Sequence, residues 1–265
     1  MIDRSEMVSV FRRLSLEAGE IVMKFYDSES FDIKLKADNS PVTAADKEAD
    51  THISRGILEY FSSVPLVTEE QVQTHTSKYK SFVIVDPLDG TKEFINRNGD
   101  FTINIAYVEN GEPIVGVVYA PAKKRLFYTL STSNAVEEYY PFDKNIAGEI
   151  KLLKPRVPDN DNLIMVASKS HQNQETKDYI SKYNISTLKG AGSSLKFCLL
   201  ASGEADIYPR LGRTMEWDTA AGQAILNSAG GKVVKFNDHS AMLYGKTSYE
   251  NPFFVAYVPG VKLRA

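Results

Sequence analysis

Asp86 and Asp89 stand in the run Val85-Asp86-Pro87-Leu88-Asp89-Gly90-Thr91, directly after an apolar stretch at 81–85 with the character of a buried strand. Pro87 fixes φ and Gly90 permits a tight turn, so the backbone can bring both carboxylates to one point. Hard cations such as Mg²⁺ select carboxylate and carbonyl oxygens. Asp86, Asp89 and the Leu88 carbonyl offer such oxygens, and a helix opening near Gly90 or Thr91 would turn its first amides toward a phosphate. A turn capped by two Asp side chains explains the same residues equally well.

Three further acidic positions bear on that choice. Glu69, in Thr68-Glu69-Glu70, follows the apolar segment 64–67 and sits at another expected strand end. Alone it reads as part of a solvated acidic loop. Asp218, in Trp217-Asp218-Thr219-Ala220-Ala221-Gly222, opens a helix of small residues and alone reads as an N-cap. Asp46 closes Thr43-Ala44-Ala45-Asp46, a capping box at the start of a helix.

The elements that must position these groups follow from periodicity. Met7, Val10, Phe11, Leu14, Ala18, Ile21, Val22 and Phe25 recur at helical steps, predicting an amphipathic helix over most of the first 26 residues. Phe31, Ile33 and Leu35 alternate as a short strand, and a second helix runs from 43 to about 61. Strands at 101–108 and 113–119 flank Asn110-Gly111, a hairpin signal, and β signals continue to about 140. The stretch 142–161 is richer in Lys, Pro, Asp and Asn and suggests a boundary. Beyond it strands (163–167, 205–208, 231–236, 253–258) alternate with helices (172–183, 193–201, 218–229). An α+β half, 1–150, followed by a layered α/β half, 151–265, is the expected organisation.

Composition excludes several classes. The 265 residues are 43% hydrophobic and 25% charged, with a formal net charge of -3, so no basic face for nucleic acid is expected. The early acidic and basic residues leave no signal-peptide core, and no run is long and apolar enough to span a bilayer. One cysteine, Cys198, cannot form an internal disulfide, which fits a reducing cytoplasm. A cytoplasmic enzyme is expected, with peripheral attachment to the cytoplasmic face of the inner membrane left open.

Asp86-Pro87-Leu88-Asp89-Gly90-Thr91 and Trp217-Asp218-Thr219-Ala220-Ala221-Gly222 together resemble the two signatures of the inositol-monophosphatase superfamily, in its order. The segments 36–46, 86–98 and 192–199, with Tyr208-Pro209-Arg210, resemble its bisphosphate nucleotidases of the bacterial CysQ type. The resemblance covers roughly 7–258 and is weakest around 131–162. It implies a sugar-phosphatase fold, an αβαβα sandwich, and two or three Mg²⁺ held by Glu69, Asp86, the Leu88 carbonyl, Asp89 and Asp218. It implies most metal ligands in the first half, with the substrate contacts and the last ligand in the second. Those contacts would include Asp89, Gly90, Thr91, His171, Ser193, Lys196, Arg210 and Asp218, with Ser193 and Lys196 facing one ligand from one helix. A water oriented by Glu69, Thr91 and Asp46 would attack the 3′-phosphate of 3′-phosphoadenosine 5′-phosphate, or its phosphosulfate, giving AMP and phosphate from the former. The resemblance also implies lithium sensitivity and a role in sulfur metabolism. An inositol monophosphatase or sugar bisphosphatase would use the same cage, and a non-catalytic phosphate-binding regulator would be expected to lack a ligand or Thr91. The expected partner is a small phosphorylated nucleotide, with no nucleic acid, no obligatory membrane partner, and a monomer or weak dimer.

Overall fold

A computed structural model describes residues 3–28, 33–35, 41–76, 78–168 and 173–264. The chain opens with α1 (Arg4–Asp27), whose first turn is capped by Asp3 accepting from the Ser5 and Glu6 amides. Strand β1 (Ile33–Leu35) pairs antiparallel with β2 (Pro41–Thr43), which leads into α2 (Ala44–Tyr60). Phe31 and the side chain of Thr43, the expected cap, lie outside what is described; α2 occupies the expected helix.

Seven strands then form one sheet in chain order: β3 (Leu66–Thr68), β4 (Ser81–Asp89), β5 (Thr102–Glu109), β6 (Glu112–Ala120), β7 (Arg125–Ser131), β8 (Asn134–Glu138) and β9 (Ile150–Leu152). A short helix, α3 (Thr91–Ile95), follows β4. The β5–β6 hairpin turns at Asn110 and Gly111, both at positive φ (53° and 83°), as a two-residue turn of the primed type requires.

The central strands β4, β5 and β6 are buried along nearly their whole length because both faces of the sheet are covered there. In β4, Val83 and Val85 point to a core shared with α1 and α2, while Phe82 and Ile84 point to a second core. That second core contains the remaining elements: β10 (Leu163–Ser168), α4 (Gln174–Ile180), β11 (Ile185–Ala191), α5 (Leu195–Ala201), β12 (Ile207–Arg210), α6 (Ala220–Ser228), β13 (Lys232–Lys235) and β14 (Phe254–Tyr257). Their five-stranded sheet has the order β11-β10-β12-β14-β13.

The small residues of α6 have a packing reason. A Cβ on Gly116 of β6 would lie 2.5 Å from the Ala221 carbonyl, and one on Gly222 would lie 2.5 Å from the Phe197 ring. Helix α6 is therefore pressed between the first sheet and α5. Strand β10 pairs parallel with both β11 and β12, so the crossovers from β10 to β11 and from β11 to β12 run in opposite directions; the right-handed rule for such crossovers then puts α4 and α5 on opposite faces. The layers are α1/α2, sheet, α5/α6, sheet, α4: the expected αβαβα sandwich.

Two expectations are corrected. Residues 193–201 are not one helix: α5 begins at Leu195, and Ser193 sits before it at φ 48°. Strand β11 was not anticipated; most of its residues are exposed on a sheet edge, so it lacks the apolar alternation that marks a strand.

Candidate active site

On a regular strand, residues three apart point to opposite faces, so Asp86 and Asp89 should diverge. The pairing of β4 with β5 matches Asp86 to Asn104 and Asp89 to Thr102, leaving one extra residue on β4. This bulge reverses the alternation and returns both carboxylates to one side. The parallel neighbour β3 ends level with it: Thr68 pairs with Val85, and the Glu69 amide donates to the Val85 carbonyl at 3.1 Å. Glu69 is thereby set beside Asp86.

Asp218 arrives from the other half of the chain. It is not the cap of α6, a position held by Thr219; its Oδ2 accepts the Met215 amide at 2.8 Å. Ser194 joins the two halves, its amide donating to Asp89 Oδ2 at 2.7 Å and its hydroxyl to the Asp218 carbonyl at 2.6 Å. One carboxylate oxygen each from Glu69, Asp86 and Asp218 then lies within 4.8 Å of the others. Asp89 adjoins this group and is held by Asn104 Nδ2 at 3.3 Å as well as by Ser194. Asp46, buried in the first turn of α2, is near enough to add to the field on Asp86.

Such crowding carries a marked electrostatic cost. Burial, then repulsion from Glu69, Asp89, Asp218 and Asp46, pushes the Asp86 carboxyl well above its ordinary range. Burial raises Asp89 to about 6, against the opposing pull of Lys196 and the hydrogen bonds from Ser194 and Asn104. Asp218 is pushed up to about 8 by burial and by Asp89 and Glu69. Asp86 Oδ1 accepts the Leu88 amide at 3.1 Å, whereas its buried Oδ2 finds no hydrogen-bond partner among the described residues. Convergent hard oxygens, one of them orphaned, fit a divalent cation of the magnesium, manganese or calcium class. The Leu88 carbonyl accepts a long contact, 3.5 Å, from the Thr91 hydroxyl.

Beside the carboxylates opens a cleft of about 210 Å³, lined among others by Asp89, Gly90, Thr91, Ser193, Lys196, Arg210 and Asp218. Its position follows from topology. Strand order reverses at β10, and Ser168, Ser193 and Arg210 lie at or just beyond the carboxyl ends of β10, β11 and β12, where open α/β sheets bind ligands. Ser193 does not share a helix with Lys196. Gly192 instead passes so close to Asp100 that a Cβ would meet its carbonyl at 2.4 Å, and the chain then turns through Ser193.

Lys196 Nζ donates to the Ser193 carbonyl at 2.6 Å and lies 5.2 Å from the Tyr208 ring centroid. Burial lowers the Lys196 ammonium to about 8, although Asp89, Glu93 and Asp100 attract it. The Ser193 hydroxyl and Arg210 Nε are buried with no hydrogen-bond partner among the described residues. Both suit an anionic ligand. His171, also expected here, lies outside the described residues.

Ser194, Asn104 and Ser168 were missed by sequence reasoning. Ser194 stands inside a segment already singled out, but nothing in a serine's identity announces bonds to Asp89 and Asp218. Replacing Lys196 with Met should preserve the packing against Tyr208 and remove the charge. We expect kcat/KM for a phosphorylated substrate to fall about tenfold, carried mainly by KM, with melting temperature little changed. Steady-state kinetics over a substrate range would check it.

Comparison with known proteins agrees with this geometry. The model of the inositol monophosphatase family matches residues 3–255. The chain is 40% identical over 248 residues to the 3′(2′),5′-bisphosphate nucleotidase CysQ of Escherichia coli K12, covering 91% of this chain and 96% of that protein. It is 40% identical over 231 residues to the protein of the same name from Buchnera aphidicola, covering 86% and 84%. The crystal structure of CysQ from Bacteroides thetaiotaomicron, described as a bacterial member of the inositol monophosphatase family, superposes with a TM-score of 0.82 at 36% identity, over 96% of this chain and 97% of that one. The chain belongs to the inositol monophosphatase family, whose enzymes are metal-dependent. No helix among the described residues is long and apolar enough to cross a membrane.

Proposed function

We propose that this protein is a magnesium-dependent 3′(2′),5′-bisphosphate nucleotidase that removes the 3′-phosphate from 3′-phosphoadenosine 5′-phosphate, leaving AMP. The observation that carries this reading is a carboxylate group fit for a cation, Glu69, Asp86 and Asp218, beside a cleft whose lining includes the cationic side chains Lys196 and Arg210. A substrate with two phosphates uses both: one faces the carboxylates and the other the lysine and arginine. The CysQ relatives, named for this activity and matched over most of their length, support the same assignment.

Glu69, Asp86, Asp89, Asp218 and the Leu88 carbonyl would hold the magnesium. When bound, it neutralises phosphate charge and makes water a better nucleophile at neutral pH. The chain's own residues do the rest. Glu69 and the Thr91 hydroxyl orient a water for in-line attack on phosphorus, with the buried Asp46 sharing that role. The P–O bond to the ribose 3′ oxygen breaks as the new one forms; the attacking water gives up a proton and the departing oxygen takes one up, ending as the hydroxyl of AMP. Lys196 and Arg210 fix the remote phosphate so that this geometry is held through the reaction.

Phosphate release should be measured from 3′-phosphoadenosine 5′-phosphate, its phosphosulfate and inositol 1-phosphate, with and without Mg²⁺. We expect kcat/KM for the bisphosphate nucleotide to exceed that for the inositol ester by about tenfold or more, since the ester lacks the second charge-assisted contact. Faster turnover of the inositol ester would assign the cage to an inositol phosphatase instead, and no magnesium-dependent release from any of them would remove the enzymatic reading.

A further inference from the structure

Glu69 and Asp218 come from opposite halves of the chain, and their carboxylates repel one another, so something must keep the two backbones in register. His75 lies on the short helical turn Val72–Thr76 and reaches both. Its Nε2 is 2.7 Å from the carbonyl of Thr68, the residue before Glu69. A carbonyl only accepts, so this nitrogen carries the proton and donates. The same ring stacks on Trp217, the residue before Asp218, with centroids 4.9 Å apart and planes 24° from parallel.

Both ends of this connection are anchored. Tyr249 packs against His75 at 5.7 Å and Trp217 at 6.2 Å, and its carbonyl accepts the Glu216 amide at 2.7 Å. On the other side, Gln71 donates from its amide to Thr68 Oγ1 and from its side chain to Asp50 and Ser54 of α2. Thr74 Oγ1 accepts the Thr68 amide at 3.2 Å. The Glu69 segment is thus fastened to α2, and His75 extends from it to the Asp218 segment.

We infer that His75 is a positioning residue that clamps the Glu69 and Asp218 segments at the separation a divalent cation needs, an inference resting on the metal-dependent reading above. It is not among the residues lining the cleft and sets the carboxylates' spacing through the residue preceding each. Partners one step removed from metal ligands commonly change affinity by about 10–100-fold when lost.

The clamp has two ends that can be removed separately. His75→Phe keeps a ring for Trp217 and loses the N–H donor, whereas His75→Gln keeps a donor for the Thr68 carbonyl and loses the ring. Mg²⁺ binding to the metal-free protein should be measured by calorimetry. Trp217 is the chain's only tryptophan, so its emission followed through the same titration reports on the clamp itself. The wild type should show heat and a saturable emission change with one midpoint. Both variants should bind Mg²⁺ about tenfold more weakly, with KM at saturating Mg²⁺ within about twofold of wild type.

A variant lacking either end yet binding Mg²⁺ like wild type overturns the proposal, even if its melting temperature falls, because that pattern marks a residue serving stability alone. No wild-type heat at all would instead remove the metal site, and the clamp with it.

Discussion

Asp86→Asn should lower kcat by at least about a thousandfold, the equivalent of about 4 kcal/mol in the transition state. The same substitution should leave the melting temperature of the metal-free protein unchanged or higher. Activity falls because Asp86 sits at the centre of the acidic group, and its buried Oδ2 is the oxygen left without a hydrogen-bond partner. Stability does not fall because the amide retains an oxygen for the Leu88 N–H bond while removing one of several mutually repelling charges. Its NH₂ also becomes a donor among carboxylates. Loss of function with gain of stability is the mark of a residue kept for chemistry against its folding cost. Steady-state kinetics and thermal melting in chelator measure the two halves. A variant that is both inactive and strongly destabilised would show instead that Asp86 serves the fold.

The second large effect is on pH. In the metal-free protein Asp89 titrates at about 6 and Asp218 at about 8, both raised from an ordinary value of 3.8. The native state therefore holds protons that the unfolded chain has already released. That stabilising contribution is fully present below about 4 and is lost as pH rises through 6 and then 8. Melting temperature without metal should accordingly decline across this window. Mg²⁺ must displace those same protons, so its apparent affinity should rise over the same range. For one ligand titrating near 8, moving from pH 6 to pH 8 frees the carboxylate, and raises affinity, on the order of fifty-fold. The Mg²⁺-induced shift in melting temperature should be small at pH 6 and large at pH 8. A shift independent of pH would mean that the cation binds away from these carboxylates.

Local chemistry singled out part of this site and the family resemblance joined the rest, for identifiable reasons. Asp86 and Asp89 stood out because Pro87 and Gly90 bracket a turn after an apolar run. Yet their spacing alone predicts opposite faces; the extra residue in β4 that reunites them appears only in its pairing with Asn104 and Thr102. Glu69 and Asp218 were weak signals singly, since an acidic loop and an N-cap are common, and it is long-range pairing that joins them.

The sequence places Ser193 at the start of a helix over 193–201, whereas α5 begins only at Leu195. The left-handed turn before α5 depends on Gly192 crowding Asp100, a contact between distant residues. His75 was passed over for a related reason. Its partners are a backbone carbonyl seven residues earlier and an indole in the other half of the chain. The αβαβα layering followed from the family resemblance; local patterning by itself predicts only an α+β half followed by a layered α/β half. The polar edge strand β11 escaped that pattern.

Anomalous diffraction from crystals soaked in Mn²⁺, a hard cation that shares magnesium's preference for oxygen, tests the arrangement most directly. A peak bridged by Glu69, Asp86 and Asp218, beside Asp89, is the predicted result. Strong peaks elsewhere, with those three carboxylates bare at saturating Mn²⁺, would contradict it.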